Sequence, residues 1–498
     1  MESSETKALP NIDAAPDISA AWRNSLRLGT SLLATWSVAL FVRFFLPRYL
    51  GPEHFGLYSF ADSFAATYFV LLNLGIDTYI QKEVSVRPAH ASDFFGGVLV
   101  VRAALSAVLL VALALTLVWA GRSAEAQRLV FLFGLAQNVV SLNASLAALL
   151  QSNAEVRGLS VINVAGKLVW GAGIGAGLAL GVPLEGLAAV FLASEVVKCA
   201  ALFRIARHQL ALVLRVDWAA AKHVIITSLP FNLNAVAVTL CAKLDVTMLA
   251  FLSSDDTQVG WYSAASNLAS LSMLLSPLVG WVLMPLLSRA HHRSPEEFWA
   301  ILRRCIEGIQ TIALPVTLMM ALGADVWIGV VFGPAFAPAA MSLRVLAPMF
   351  VFTYLAILLS MSLVVLNRPW TLTLISLTGM LINPLLNLAF IPLGARLFGL
   401  GGGGVGAAAG VVGMEMTVTT ILFFTIGRAA FDRRSVTVIG RSLLVCTCVI
   451  ALHILLAPFG PWRLVLDAGA YAALALGLGA VHLHDIKTVV GHLRQRRG

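Results

Sequence analysis

Five basic side chains interrupt long apolar stretches of the sequence: Arg43, Arg102, Lys167, Lys243 and Arg344. A basic side chain at the centre of a bilayer costs about 2.5–3.5 kcal/mol on insertion scales, so in a membrane protein these residues should face protein or a wet cavity. Cations that line a cavity favour an anionic ligand, such as a diphosphate or an acidic sugar. For the two lysines, the alternative is an ion pair between helices. Arg43 and Arg344 lie near the ends of their segments, so their side chains could instead extend to the membrane surface.

Three carboxylates in the same apolar stretches, Asp62, Asp245 and Glu415, are candidates for binding a coupling ion or for gating. Lys243 and Asp245 are two residues apart and cannot face each other on a helix, so each needs another partner. Nothing in the sequence chooses between a proton and a sodium ion as the coupling ion.

Prolines and asparagines within the apolar stretches predict helix breaks at Pro230, Asn383, Pro384 and Asn387. Proline removes a backbone hydrogen bond, and a neighbouring asparagine can satisfy the freed carbonyl or meet a polar ligand. Kinks that only shape the helix bundle are the alternative.

The remaining motifs favour no enzyme. The five cysteines lie in or beside apolar segments, where packing is their expected role, and too few lie together for a structural zinc site. Gly401–Gly404 is not followed by Lys-Ser/Thr, so it is interpreted as a turn between helices and not as a phosphate-binding loop. The sequence shows no Ser/His/Asp set and no HExxH motif. We therefore predict no catalytic residue, no metal and no cofactor.

The elements that position these residues follow from composition. The chain is 59% hydrophobic and 12% charged, against about 45–50% and about 25% in soluble domains, and its mean hydropathy is +0.87. A membrane span needs roughly 20 apolar residues, and we count about fourteen such segments. Because their apolarity is continuous and does not alternate, the predicted fold class is all-α, a polytopic membrane protein of about 14 transmembrane helices.

The distribution of basic residues predicts the orientation. With the N-terminus in the cytoplasm, about 23 of the 34 Lys and Arg residues fall in inner loops and tails and only about 5 in outer loops. Both termini are therefore predicted to be cytoplasmic. The net charge of +9 is mostly a signal of topology, and a nucleic-acid partner is not expected.

Two motifs recur about two hundred residues apart. Phe55–Ala61 and Val259–Ala265 share the pattern x-G-x-Y-S-x-A at an offset of 204 residues. Gly186–Glu195 and Gly406–Glu415 share a second pattern at an offset of 220 residues. The repeat unit is therefore six helices, and two pseudo-symmetric six-helix lobes should enclose a central cavity. Lys198 follows Glu195 by three residues, so a local ion pair is expected there.

The predicted organisation has six parts. They are a disordered cytoplasmic tail at 1–22, an N-lobe of helices 1–6 at 23–204, a cytoplasmic interfacial linker at 205–223, a C-lobe of helices 7–12 at 224–427, helices 13–14 at 428–484 and a basic cytoplasmic tail at 485–498. The linker mixes basic and apolar residues at helical spacing, so we expect it to lie along the inner interface and tie the lobes together. An ordinary solvated loop is the alternative.

Several motifs occur in a fixed order between Arg23 and Arg434. They are Arg48-Tyr49-Leu50-Gly51 with Phe55-Gly56-Leu57-Tyr58; Asp245 with Met248-Leu249, followed by Val259–Ala265; Phe332-Gly333-Pro334-Ala335-Phe336; Asn383, Asn387, Pro392 and Gly394; and Gly404-Val405-Gly406-Ala407-Ala408 with Glu415. In this order the chain resembles the polysaccharide-transport (Wzx-like) family of lipid-linked oligosaccharide flippases. That family belongs to the MATE/oligosaccharidyl-lipid/polysaccharide (MOP) exporter superfamily.

The resemblance implies a MATE-like fold and a flippase of the bacterial inner membrane. Such a protein moves undecaprenyl-diphosphate-linked oligosaccharide from the inner to the outer leaflet for O-antigen, capsule or exopolysaccharide synthesis. Its two lobes would alternate access to a cationic cavity. The implied partners are the lipid-linked cargo, membrane lipid, a polysaccharide polymerase and a chain-length regulator, and the implied transporter unit is a monomer.

Other functions remain open. A lipid II flippase shares the architecture and the anionic cargo. A MATE-like, ion-coupled exporter of small molecules would require acidic residues to dominate the cavity. A polysaccharide polymerase or ligase is the enzymatic alternative, but such enzymes carry a large outer loop. The longest outer loop predicted here, Gly323–Ala340, has about eighteen residues.

Overall fold

The structure, a computed structural model, describes residues 18–479 apart from 88–89, 154–155, 210–211, 254 and 431. These residues form seventeen α-helices and no strand. The helices are α1 Ile18–Phe69, α2 Ile76–Tyr79, α3 Ala91–Trp119, α4 Ala124–Ser152, α5 Val156–Ala179, α6 Leu184–Gln209, α7 Trp218–Ser253, α8 Asp256–Ala269, α9 Ser276–Arg293, α10 Pro295–Leu322, α11 Ala324–Phe332, α12 Ala339–Leu346, α13 Met349–Val365, α14 Pro369–Phe398, α15 Gly402–Ile426, α16 Arg433–Leu455 and α17 Arg463–Gly477. We call α1–α6 the N-lobe and α7–α15 the C-lobe.

Eleven segments among the described residues are long and apolar enough to span a membrane, compared with the fourteen predicted. The first two predicted spans form one helical segment, α1, which bends at Gly51 with a φ of +74°. The eighth predicted span is divided by a 3₁₀ turn at Ser270–Leu275. The last helix, α17, has only 15 residues. The chain is therefore a multi-pass, all-helical membrane protein whose apolar segments bend more than the prediction assumed.

Both ends of the predicted N-lobe differ from expectation. α1 already begins at Ile18, inside the segment predicted as a disordered tail, because Ser19–Trp22 contains neither glycine nor proline. Residues 1–17 and the predicted basic tail at 485–498 lie outside the described residues. At the other end α6 continues to Gln209, five residues into the predicted linker.

Within the predicted linker, residues 205–209 belong to α6 and residues 218–223 to α7, so among the described residues only 212–217 form a non-helical connection. Residues 212–217 are not helical, and α7 begins directly after them because the Asp217 side chain caps it by accepting bonds from the backbone N–H groups of Ala219 and Ala220 at 2.9 and 3.0 Å. The connection lies against the start of α3, where the backbone N–H of Val213 donates to the Ser92 hydroxyl at 3.2 Å. We call this the inner end of the bundle, after the orientation that the basic residues predict.

The predicted helix breaks are wrong. Pro230 lies within the continuous helix α7, and Asn383, Pro384 and Asn387 lie within the continuous helix α14. A proline removes one backbone bond, and helix packing in a membrane protein can compensate for that loss. The backbones of α14 and α15 approach each other closely at three glycines: Gly394, Gly402 and Gly406.

The lobes meet at the outer end through the repeated x-G-x-Y-S-x-A motifs. A Cβ atom added to Gly56 of α1 would lie 1.7 Å from the carbonyl oxygen of Asp256, one turn before Gly260 of α8. A Cβ atom added to Gly260 would lie 1.8 Å from the carbonyl oxygen of Pro52. Only glycine allows the two backbones to approach this closely, so the repeat-related glycines define a direct contact between the lobes.

Candidate functional site

Three of the five predicted basic residues line one cavity of about 350 Å³ between the lobes. Arg43 comes from α1, Lys167 from α5 and Lys243 from α7, and Asp62 of α1 faces the same space. We call it the central cavity. Cations therefore outnumber carboxylates three to one among its described lining residues, which gives it the electrostatic character of an anion site.

Two polar contacts cross from one lobe to the other through this cavity. The Lys243 ammonium donates to the Asp62 carboxylate at 2.8 Å, and the Arg43 guanidinium donates to the Ser270 hydroxyl at 3.2 Å. Lys243 and Asp62 are 36% and 31% exposed at their side chains, so water or a ligand can reach the pair. The partner that Lys243 requires is thus Asp62 on the other lobe, and not the neighbouring Asp245.

Aromatic side chains form much of the remaining wall. Trp170 lies one turn beyond Lys167 on α5, with the Lys167 ammonium 4.6 Å from its ring centroid. Tyr58 contacts Phe133 edge-to-face at 5.0 Å between centroids. A wall of aromatic rings beside cations suits a ligand that combines charged groups with flat, partly apolar sugar faces. These aromatic residues were not among the predicted site residues; the Lys-x-x-Trp spacing on one helical face was the available signal in the sequence.

Arg102 and Arg344 do not line the central cavity, contrary to the prediction. Arg102 is 6% exposed and donates to the backbone carbonyl of Asn73 and to the hydroxyl of Ser145, both at 2.9 Å. The Arg102 side chain therefore meets protein groups of the N-lobe and not the central cavity. Arg344 lies in α12 and is paired with Asp325 at 3.5 Å.

Asp325 joins Arg344 to the C-terminal helix pair, because it also forms an ion pair with Arg463 at the start of α17. Burial alone would raise the pKa of Asp325, but the hydrogen bond from Arg463 and the charges of Arg463 and Arg344 outweigh burial and hold this pKa below its ordinary value. Arg344 therefore acts in an ion-pair network that attaches the helix pair to the C-lobe.

The predicted ion-coupling residues lie in two places. Asp62 is in the central cavity, whereas Asp245 and Glu415 line a second space of about 620 Å³ within the C-lobe, which we call the C-lobe pocket. Its described lining residues include no Lys, Arg or His, and they include four methionines: Met284, Met349, Met361 and Met414. Asp245 is 5% exposed and accepts a hydrogen bond from the Tyr262 hydroxyl at 2.8 Å.

Asn383 and Asn387 are fully buried in the C-lobe and line neither space. The Asn387 amide donates to the backbone and side-chain oxygens of Asn383 at 3.1 and 3.0 Å. A Cβ atom on Gly410 of α15 would lie 2.9 Å from the Asn387 oxygen. The two asparagines therefore contribute to the α14–α15 contact.

Glu195 and Lys198 form the predicted local ion pair, but a residue of another helix approaches Glu195 more closely. The two charged groups are 4.0 Å apart, whereas the Asn143 amide donates to the Glu195 carboxylate at 2.8 Å. Asn143 lies on α4, so the principal contact of Glu195 is between helices and not within its own helix.

The family model described as "Polysaccharide biosynthesis protein" matches residues 45–341, which is more than half of the chain. The chain belongs to this polysaccharide biosynthesis family. The match covers the residues of the central cavity from Asp62 to Lys243. No curated protein matches the sequence.

The fold of this family member is similar to those of a lipid II flippase and of MATE family transporters. The structure of the lipid II flippase MurJ in an inward closed conformation is similar with a TM-score of 0.70, at 13% identity, over 93% of this chain and 99% of that chain. A multidrug resistance MATE family transporter of the MOP superfamily, in an inward-facing conformation, gives a TM-score of 0.60 at 16% identity over 79% and 97%. A mutant of the Vibrio cholerae MATE transporter VcmN gives a TM-score of 0.53 at 12% identity, over 82% of this chain and 98% of that chain.

Proposed function

We propose that this protein is a flippase that moves undecaprenyl-diphosphate-linked oligosaccharide from the inner to the outer leaflet of the bacterial inner membrane. The observation that carries the proposal is the convergence of Arg43, Lys167 and Lys243 on one cavity between two lobes. A diphosphate is the part of such a cargo that cations recognise best. The family's description and the MurJ-like fold support the same function.

The cross-lobe ion pair suggests how binding drives movement. Asp62 and Lys243 come from different lobes and neutralise each other across the cavity at 2.8 Å. A cargo diphosphate carries more negative charge than Asp62 and competes for Lys243. Once the pair is broken, the lobes lose one contact that holds them together, and alternating access becomes coupled to the presence of cargo.

Asp62, Asp245 and Glu415 are the proposed residues for ion coupling and gating. Protonation or sodium binding at a carboxylate changes its charge by one unit, which alters the balance of the nearby ion pairs. Both termini are proposed to be cytoplasmic, and a polymerase and a chain-length regulator are proposed partners that receive the cargo outside. The transporter unit is proposed to be one chain.

The decisive experiment is deletion of the gene followed by analysis of lipid-linked intermediates. The proposal expects full-length lipid-linked oligosaccharide to accumulate on the cytoplasmic side, with no polymer outside, and the intact gene to restore export. Polymer that reaches the surface at normal levels in the deletion strain would contradict the proposal. A lipid II flippase, the nearest alternative, would instead cause lysis on depletion and an accumulation of lipid II.

A second candidate function is MATE-like export of small cationic molecules. It is favoured by the C-lobe pocket, because Asp245 and Glu415 lie there without a basic residue among the described lining residues. Increased sensitivity of the deletion strain to organic cations, with unchanged surface polysaccharide, would favour this candidate over the flippase.

A further inference from the structure

Arg102 is a charged residue that the cargo pathway leaves unexplained, because it is buried and lies outside the central cavity. It contacts a break in the chain between α1 and α2. After Phe69 the helix tightens into a 3₁₀ turn at Val70–Asn73, and the next two residues, Leu74 and Gly75, adopt left-handed φ values of +52° and +68°. A leucine rarely adopts this conformation, so contacts from the surrounding protein must hold it.

Arg102 supplies contacts on both sides of that break. One terminal nitrogen donates to the backbone carbonyl of Asn73, immediately before the break, at 2.9 Å. The other donates to the hydroxyl of Ser145 on α4, also at 2.9 Å, and this hydroxyl donates to the carboxylate of Asp77, just after the break, at 2.5 Å. The guanidinium group thus fixes the relative positions of Asn73 and Asp77 through two separate nitrogen atoms.

The residue at the tip of the break touches the other lobe. A Cβ atom on Gly75 would lie 2.3 Å from the carbonyl oxygen of Ser228 and 2.7 Å from the backbone nitrogen of Asn232, both on α7. The α1 residues that line the central cavity end at Ser63, so this contact lies on the inner side of the cavity. The break therefore carries one of the N-lobe surfaces that meet α7 between the cavity and the inner end; α3 supplies another at Gly97, close to Ala221.

We propose that Arg102 is a positioning residue for transport: it holds the Asn73–Asp77 break in the shape that lets Gly75 contact α7 and keeps the inner side of the lobe interface closed. The proposal rests on the alternating access proposed above. Arg102 touches no cargo, so its loss should change access to the cavity and not the affinity of the cavity for an anion. Lysine is a partial substitute, because one ammonium group cannot occupy both guanidinium positions.

Access to the cavity can be measured without cargo. The parent protein would carry Ser59→Cys, a cavity-lining position, with the five native cysteines replaced by alanine. A membrane-impermeant thiol reagent is applied to inside-out vesicles and, separately, to right-side-out vesicles. Arg102→Ala should raise the rate of labelling from the inner side about tenfold, since charge-assisted hydrogen bonds are lost. Arg102→Lys should give a smaller increase, and labelling from the outer side should not rise.

Two further variants keep the test decisive. Ser145→Ala removes the link from Arg102 to Asp77 while the Asn73 contact remains. It should therefore raise the rate of inner labelling less than Arg102→Ala does. It also serves as the test if Arg102→Ala does not fold. Arg344→Ala, which removes a cation remote from the break, should label like the parent. Inner labelling at the parent rate in a folded Arg102→Ala or Ser145→Ala protein would overturn the proposal. That result would leave the cargo assignment intact, because the cargo assignment is tested by lipid-linked intermediates and not by thiol access.

Discussion

The central cavity and the C-lobe pocket adjoin each other and differ in charge. They share Ala242 and Ser266 as wall residues. The central cavity contains three cations and one carboxylate, whereas the C-lobe pocket contains Asp245 and Glu415 and, among its described lining residues, no cation. Opposite charges therefore lie side by side in two adjoining spaces, and under the proposed function an anionic cargo and a coupling cation would bind at separate but neighbouring places.

The two repeat-related glutamates, Glu195 and Glu415, have different surroundings in the two lobes. Glu195 of the N-lobe is 8% exposed, accepts a hydrogen bond from Asn143 and lies 4.0 Å from the Lys198 ammonium, so its charge is compensated locally. Glu415 occupies the repeat-related position in the C-lobe but faces the large pocket. The same backbone position thus serves packing in one lobe and lines an open space in the other.

The largest effect is expected from Lys243, the cation that links the lobes. Lys243→Ala should reduce export of surface polysaccharide about ten- to hundredfold, because a charge-assisted contact worth about 1.5–3 kcal/mol is lost. Lys243→Arg should retain part of the activity, since the charge remains. Polysaccharide in strains with equal amounts of membrane-inserted protein is the measurement. The matched control is Arg344→Ala, which removes a cation that lies outside both spaces. If both alanine variants lost export equally, Lys243 would have no role that depends on its place in the cavity.

The second effect separates the two repeat-related glutamates. Glu415→Gln should lower transport about tenfold and abolish its dependence on a proton or sodium gradient, because a neutral amide cannot exchange charge with an ion. Glu195→Gln keeps an oxygen that accepts the Asn143 hydrogen bond, so it should retain gradient-dependent transport. Transport into vesicles with and without each imposed gradient is the measurement. Gradient-dependent transport in the Glu415→Gln protein would show that this residue has no part in coupling.

A smaller effect is expected from the aromatic wall of the central cavity. Trp170→Ala should weaken binding of a soluble prenyl-diphosphate sugar about three- to tenfold, since a cation–π contact is worth about 0.5–2 kcal/mol. Trp170→Phe should weaken it less, because a ring remains beside Lys167. Met414→Ala, in the C-lobe pocket, is the control and should leave the affinity unchanged. Calorimetric titration of the purified variants checks this, and a loss of affinity in Met414→Ala would mean that the anionic ligand occupies both spaces.

The smallest effect concerns ionic groups outside both spaces. The pKa of Asp325 is held below its ordinary value by Arg463 and Arg344, so the carboxylate stabilises the fold at pH values above its unfolded pKa of about 3.9. This contribution is lost as the pH falls through the lower, folded pKa. Asp325→Asn should therefore lower the free energy of unfolding by about 0.5 kcal/mol at pH 7, a value suited to a partly exposed pair. At a pH below the folded pKa of Asp325 the substitution should have no effect. Thermal unfolding of the solubilised protein from pH 7 to pH 3 would detect the difference; a constant difference across this range would assign the effect to packing.

Much of the fold was predictable because lipid imposes a simple rule. A segment that crosses the bilayer must be helical and apolar, so hydropathy located nearly every helix. The same reasoning could not place the 3₁₀ turn at Ser270–Leu275, since no length or hydropathy rule distinguishes it from a helix. The effect of proline on helix continuity was also overestimated, because Pro384 does not interrupt α14. The Asn-Leu-Gly sequence at Asn73–Gly75, in contrast, accompanies a real break.

The candidate site was only partly predictable, because burial of a charge does not reveal its partner. Lys167 and Arg102 have the same sequence signature, a cation deep in an apolar helix, yet one lines the central cavity and the other meets Asn73 and Ser145. What distinguishes them is the arrangement of neighbouring helices, which the sequence of one segment does not contain. The Lys243–Asp62 pair likewise depends on residues 181 positions apart.

The contact between Gly56 and Gly260 has a consequence for mutations at the lobe interface. Gly56 approaches Asp256 and Gly260 approaches Pro52, and both glycine and partner positions are related by the same offset of 204 residues. Each half therefore presents the same patch to the other, as the subunits do across the two-fold interface of a homodimer. A side chain at either glycine would separate the same pair of backbones, so substitutions at Gly56 and Gly260 should not be additive in their effect on stability.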